Sequence, residues 1–205
     1  MNPPTKPHPV VTMRDGIRFY DMPGLGYRQI LEVPEYRFGD ILQEDIVIDI
    51  GANAGAFSIR AAFRSGNVHA VEPVTTGILR ENIPLNGVHV TVHELALGMG
   101  GFAVVCWDNE QKRVETATLG EIISRAGGCD FLKCDCEGAE WHIDPRDLDG
   151  IRRLEMELHL PPIGGAPEPR LLDYIARNYE YEVTRVPSHG PLGLLGYLHA
   201  TRKPR

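Results

Sequence analysis

The chain is short of cysteine, of basic residues and of long apolar runs, and each shortage excludes something. Its 205 residues include only 4 cysteines, Cys106, Cys129, Cys134 and Cys136. None belongs to a paired CxxC knuckle with histidines downstream, so a structural zinc site is not expected. Cys134 and Cys136 stand two apart on a predicted strand and should point to opposite faces. No apolar run approaches the ~20 residues of a membrane span, so no membrane partner is expected. The start from Met1 to Pro9 is polar and proline-rich, unlike a secretory leader. These absences predict a reduced, cytoplasmic protein. Lys and Arg number 21 against 28 Asp and Glu, a net charge of −7. On that balance no nucleic-acid partner is expected, because neutralising phosphates needs a basic surface.

What is present is a regular alternation of strand-like and helix-like segments from Ile46 onward. Strands are predicted at Ile46–Ile50, Val68–Glu72, Val88–Glu94, Phe102–Trp107, Phe131–Asp135 and Arg153–Leu160. Helices are predicted at Ala54–Arg64, at Thr76–Leu85 with Pro84 in its last turn, and after Thr118. Thr118-Leu119-Gly120-Glu121 reads as a capping box. A further apolar stripe at helical spacing runs through Leu171, Ile175 and Tyr179. Tyr181–Val186 and Gly196–Thr201, joined across Pro187–Pro191, read as an antiparallel pair at the end of the chain. The fold class is therefore α/β, a mostly parallel sheet with helices on both faces. Residues 1–44 are read as an N-terminal arm with a hairpin around Asp15-Gly16 and a possible lid. Residues 45–205 are read as one cofactor-binding domain.

The stretch Val47-Ile48-Asp49-Ile50-Gly51-Ala52-Asn53-Ala54-Gly55-Ala56-Phe57 is a strand that turns on glycines into a helix. Gly51 and Gly55 permit turns that a Cβ would forbid, and Asp49 ends the strand where open α/β sheets bind ligands. Asp49, Gly51, Asn53, Gly55 and Phe57 are the candidate cofactor-binding residues of this loop. A nicotinamide fingerprint would place a third glycine between Gly51 and Gly55, where Asn53 stands. Glu72, about 20 residues on at the end of the second strand, suits the two hydroxyls of a ribose. S-adenosyl-L-methionine fits this combination: its carboxylate matches loop amides, its ammonium Asp49, and its ribose Glu72. An NAD-linked oxidoreductase and a non-catalytic binding module stay open beside it.

Several segments, in order, resemble the FkbM-type S-adenosylmethionine-dependent methyltransferases. They are Val47-Ile-Asp-Ile-Gly-Ala-Asn-Ala-Gly, Val71-Glu-Pro, Glu81-Asn-Ile-Pro-Leu-Asn-Gly, Leu95-Ala-Leu-Gly, Leu132-Lys-Cys-Asp-Cys-Glu-Gly-Ala-Glu and Glu157-Leu-His. The resemblance implies a seven-stranded Rossmann-like methyltransferase sheet and O-methylation of a small-molecule hydroxyl, such as that of a polyketide or a sugar. It also implies an adenine contact at Ala96 and a cofactor contact at Asp135. Three positions depart from the family pattern: Met99 replaces an acidic residue, Cys136 replaces a valine, and Pro84 interrupts a helix.

Methyl transfer to an aliphatic hydroxyl calls for a proton acceptor near the reacting oxygen. Asp135, at the end of its strand, is the first candidate, followed by Glu137 on the next turn. His159, at the end of the next parallel strand, titrates near neutral pH and is the third. Asp135, Glu137 and His159 are also the residue types of an oxygen-rich metal site. No ligand spacing demands a metal, and none is assigned.

Overall fold

The computed structural model describes residues 9–21, 31–107, 110–184 and 194–204. The proline-rich residues 1–8, the stretch containing Pro23, Gly24 and Gly26, and the Pro187–Pro191 connection lie outside the described residues. A hairpin of β1 (Val10–Thr12) and β2 (Arg18–Tyr20) turns at Asp15-Gly16, as the Asp-Gly dipeptide predicts. The sheet that follows has seven strands. They are β3 (Ile46–Ile50), β4 (Asn67–Val71), β5 (Thr91–His93), β9 (Phe131–Cys134), β10 (Arg153–His159), β11 (Tyr179–Thr184) and β12 (Leu194–Arg202). Their order is β11-β12-β10-β9-β3-β4-β5. Strands β5, β4, β3, β9 and β10 are mutually parallel, and β12 runs antiparallel to both β10 and β11.

Period-two alternation along the strands divides the core between the two faces of the sheet. On one face Ile48, Ile50, Leu132 and Met156 pack with Leu119 and Ile122 of α3 (Leu119–Ala126) and with Leu171 and Ile175 of α4 (Pro169–Asn178). On the other face Val47, Val68 and Phe131 pack with Phe57 and Ile59 of α1 (Ala56–Ala62) and Leu79 of α2 (Thr76–Leu85). Met13, Phe19, Leu31 and Tyr36 belong to this second cluster, so the described N-terminal residues are built into the core. The Thr118–Glu121 capping box forms with both of its hydrogen bonds, and Gly127 ends α3 in the left-handed region.

Strand β7 (Gly101–Trp107) forms where an additional strand is predicted; it pairs with β8 (Glu110–Ala117), which in turn pairs with β6 (Ala96–Leu97), making a separate three-stranded sheet. Strand β8 escaped sequence reading because its buried positions Val114, Thr116 and Ala117 follow the charged run Lys112-Arg113 and include Val114 as their one β-branched aliphatic residue. Cys134 and Cys136 do not point to opposite faces, since their sulfurs lie 3.5 Å apart. The strand ends at Cys134, so the period-two alternation of a strand does not extend to Cys136.

A buried polar cluster anchors the segment before β3 to the sheet. Glu155 on β10 accepts the Arg37 backbone N–H at 3.0 Å and hydrogen-bonds His199 Nδ1 at 2.7 Å. Arg153 pairs with the same carboxylate at 2.5 Å and with Asp40 at 3.2 Å. This holds residues 36–40 against the sheet and sets Tyr36 over its carboxyl edge. Burial, with Arg37 and Arg153 nearby, pushes the His199 pKa down to about 4. His199 is therefore neutral above that pH. Imidazole nitrogen NMR should find a neutral ring still at pH 5.5, where an ordinary histidine is mostly protonated.

Candidate active site

The loop after β3 lies between the ends of β4 and β9. Gly51 and Ala52 both donate backbone N–H bonds to the Val71 carbonyl, at 2.9 and 3.2 Å. Gly51 sits at φ 73°, and a Cβ there would fall 1.6 Å from the carbonyl oxygen of Asp135. The glycine is thus required by the next loop rather than by a ligand alone. Gly55, at φ 90°, precedes α1, and a Cβ would fall 2.6 Å from Leu79 of α2. Asn53 between them is left-handed too, at φ 48°.

Beneath the loop lies a dry ionic group that sequence reading only half anticipated. Asp49 is fully buried: Oδ2 accepts the Ser58 hydroxyl at 2.5 Å, and Oδ1 lies 3.0 Å from Lys133 Nζ. Lys133 donates to the carbonyls of Gly51 at 2.8 Å and Ile50 at 3.3 Å, with the Tyr36 ring 5.3 Å away. Burial opposes its charge, but Asp49 and Asp135 outweigh that and hold its pKa above the ordinary value. Asp49 is therefore spoken for within the protein and does not present its carboxylate to a ligand. A lysine in the middle of the apolar strand Phe131-Leu132-Lys133-Cys134 was the signal for this pair, since a buried cation needs a buried anion. Phe57 is likewise internal, packed against Tyr36, Phe38 and Phe131 at centroid distances of 5.0 to 6.0 Å.

Glu72 is placed at the rim. Its Oε2 accepts the Asn53 N–H at 2.9 Å, and its Oε1 accepts those of Val74 at 2.7 Å and Thr75 at 3.0 Å. Close by, Asn53 Oδ1 and Thr75 Oγ1 are buried with no hydrogen-bond partner among the described residues. Ala96 is half-buried on β6, in the three-stranded sheet.

On the other side of Gly51, Asp135, Glu137 and His159 converge, each offering a donor atom within 4.8 Å of the others. Asp135 is partly exposed, and its Oδ2 accepts the Tyr36 hydroxyl at 2.9 Å. Tyr36 also reaches Glu157 Oε2 at 3.3 Å. Neither Tyr36 nor Glu157 was singled out from sequence. Burial and then Asp135 raise the Glu157 pKa to about 8. Glu137 is exposed on its left-handed turn. His159 is buried, with Nδ1 3.2 Å from Glu140 Oε1, and its backbone N–H donates to the same oxygen at 2.5 Å. Burial alone would lower its pKa, but Glu140, Glu157 and Asp135 hold it up at about 9. The same carboxylates favour the charged form of the ring. Glu140 has no exposure and also accepts the Gly138 N–H at 2.9 Å, so it braces the turn.

No protein-family model matches the chain, and no curated protein matches it. Solved structures do. An rRNA methylase from Streptococcus thermophilus aligns with a TM-score of 0.55 at 11% identity, covering 90% of this chain and 100% of that one. Magnesium protoporphyrin IX methyltransferase from Synechocystis PCC 6803 aligns with a TM-score of 0.51 at 14% identity, covering 87% and 80%. The chain has a Rossmann-like methyltransferase fold. The expectation that excluded nucleic acid is overturned by the first of these, a protein of the same fold that is an rRNA methylase. A net charge of −7 is a sum over the whole surface and does not bar a local phosphate contact. Among the described residues, no helix is long and apolar enough to cross a membrane.

Two pairs of substitutions compare tightly packed positions with exposed ones. Gly51→Ala should cost about 3 kcal/mol or more, because both the φ and the Asp135 carbonyl oppose a side chain. Gly66→Ala, which meets nothing within 4 Å, serves as the control. Glu140→Leu should cost about 3 kcal/mol by stranding buried donors, whereas Glu137→Gln should stay within about 0.5 kcal/mol. Urea unfolding measures all four.

Proposed function

We propose that the protein is an S-adenosyl-L-methionine-dependent methyltransferase that O-methylates a hydroxyl of a small molecule, as the FkbM-type enzymes its motifs resemble do. One observation carries the cofactor reading. Asn53 Oδ1 and Thr75 Oγ1 are buried without hydrogen-bond partners among the described residues, and the backbone N–H groups of both residues donate to the Glu72 carboxylate. A ribose brings two hydroxyls that can donate to those oxygens, so the residues present fit such a ligand. The fold shared with methyltransferases supports the same reading. The cofactor supplies a methyl group activated on a sulfonium.

The protein's own part is to hold and orient. Gly51, Asn53, Gly55 and Glu72 form the cofactor side of the rim, with Ala96 assigned to the adenine by the family resemblance. Asp49 and Phe57 act from below, by fixing the loop. Asp135 stands across Gly51 and is partly exposed, which suits it to take the acceptor's hydroxyl proton as the new bond forms. Glu137 lies beside it on the same edge, as the second candidate for that proton. Tyr36 steadies the Asp135 carboxylate through its hydroxyl.

Calorimetry should find S-adenosyl-L-methionine and S-adenosylhomocysteine bound in preference to NAD. Folded protein that binds neither sulfur compound overturns the reading. Transfer of a labelled methyl group should then be followed into hydroxyl-bearing small molecules and, separately, into RNA. Label appearing only in RNA would replace the proposed acceptor class. Asp135→Asn should slow transfer about 100-fold while cofactor affinity is retained, and unchanged turnover would remove Asp135 from the proton-accepting role.

A further inference from the structure

The acidic edge beside the cofactor loop contains a donor set that methyl transfer from a sulfonium does not itself require. Asp135, Glu137 and His159 each bring one donor atom, all within 4.8 Å of one another. A group of carboxylates alone would be an ordinary solvated patch. The histidine distinguishes this one. The His159 side chain is only 4% exposed, and its Nε2 is held among the described residues only by ion-pair contacts longer than a good hydrogen bond. The nearest carboxylate oxygens to Nε2 belong to Glu137 at 3.5 Å and Glu157 at 3.6 Å. The opposite ring nitrogen is tied down: Nδ1 faces Glu140 Oε1 at 3.2 Å, and that carboxylate is itself fixed by two backbone N–H groups. A carboxylate on one imidazole nitrogen aims the other at a metal and fixes the ring's orientation.

We propose that Asp135, Glu137 and His159 bind one divalent cation, with His159 Nε2 as the buried anchor and Glu140 as its positioning residue. The donor set of one imidazole nitrogen and two carboxylates lies between the all-oxygen sets of magnesium and calcium and the nitrogen and sulfur sets of zinc. Manganese(II) matches it best. The geometry leaves the ligands free to act. Asp135 Oδ2 is engaged by Tyr36, but the carboxylate has a second oxygen. Glu137 is 68% exposed, which gives a hydrated ion a way in. On binding, the proton on Nε2 leaves to solvent and the nitrogen lone pair takes its place on the metal. A cation here would also offer a position for the oxygen of the methyl acceptor, a consequence that rests on the methyl-transfer reading above.

The test uses manganese(II) alone with the whole chain, with no methyl donor and no acceptor. Electron paramagnetic resonance titration should find one bound ion per chain. Glu137→Gln and His159→Gln should each weaken binding about tenfold or more. Glu137 is exposed, so its variant reports on the site even where the His159 variant fails to fold. In the unaltered protein, substoichiometric manganese should broaden the His159 ring resonances. No stoichiometric binding, binding unchanged by Glu137→Gln, or unbroadened His159 resonances would each overturn the proposal. Because the readout is the ion itself, failure here leaves methyl transfer standing, and failure of methyl transfer leaves the ion.

Discussion

The pairing of Lys133 with Asp49 under the first loop is the constraint on which the rest depends. Both charges are out of water, and removing one partner of such a pair typically costs about 3–5 kcal/mol, because the other is left buried and alone. The pair does more than neutralise. Lys133 also binds the carbonyls of Ile50 and Gly51, and Asp49 also binds Ser58 of α1. One polar knot thus joins two neighbouring strands, the loop between strand and helix, and the helix itself. The loop keeps its shape because its underside is fixed by charge-assisted hydrogen bonds. On its other side, Asn53 and Glu72 are joined by a hydrogen bond from the Asn53 N–H.

Gly51 links this knot to the acidic edge. The backbone of Asp135 occupies the space a side chain at 51 would need, so the two loops touch main chain to main chain. Asp135 in turn lies under Tyr36, which the Arg153–Glu155–His199 group holds in place from β10 and β12. The loop after β3, the acidic edge and the described N-terminal residues are therefore parts of one packed unit. The acidic edge gathers Asp135, Glu137, Glu140 and Glu157 around a single buried histidine. Their mutual repulsion is relieved by its positive charge and by the Tyr36 hydroxyl.

Much of this was legible in the sequence wherever the determinant was local. Helix α2 fills the span its apolar spacing predicts, and the Thr118–Glu121 box caps its helix with the expected pair of bonds. Glu72 falls at the rim because strand length and the following Pro73 fix it there. The convergence of Asp135, Glu137 and His159 follows from two parallel strands ending on one edge. What stayed hidden depended on distant partners. Tyr36 meets Asp135 across 99 positions and Glu157 across 121, and no short-range pattern announces either contact. Asp49 and Phe57 sit inside a cofactor-like motif, yet they support it from within, since motif spacing does not say which side chains point outward. The protonated state of His159 was also out of reach, because it is set by carboxylates from two different elements.

The place of β12 in the sheet has a consequence for how the chain is made. This late segment lies between β10 and β11, not at the margin. Until Leu194–Arg202 has emerged from the ribosome, β10 and β11 each present an open row of backbone donors and acceptors. The parallel half of the sheet can assemble earlier, but it does so with an adhesive edge. Completing this side of the sheet therefore needs β12 to enter between two neighbours. A nascent chain that stalls before it remains open to pairing with other chains.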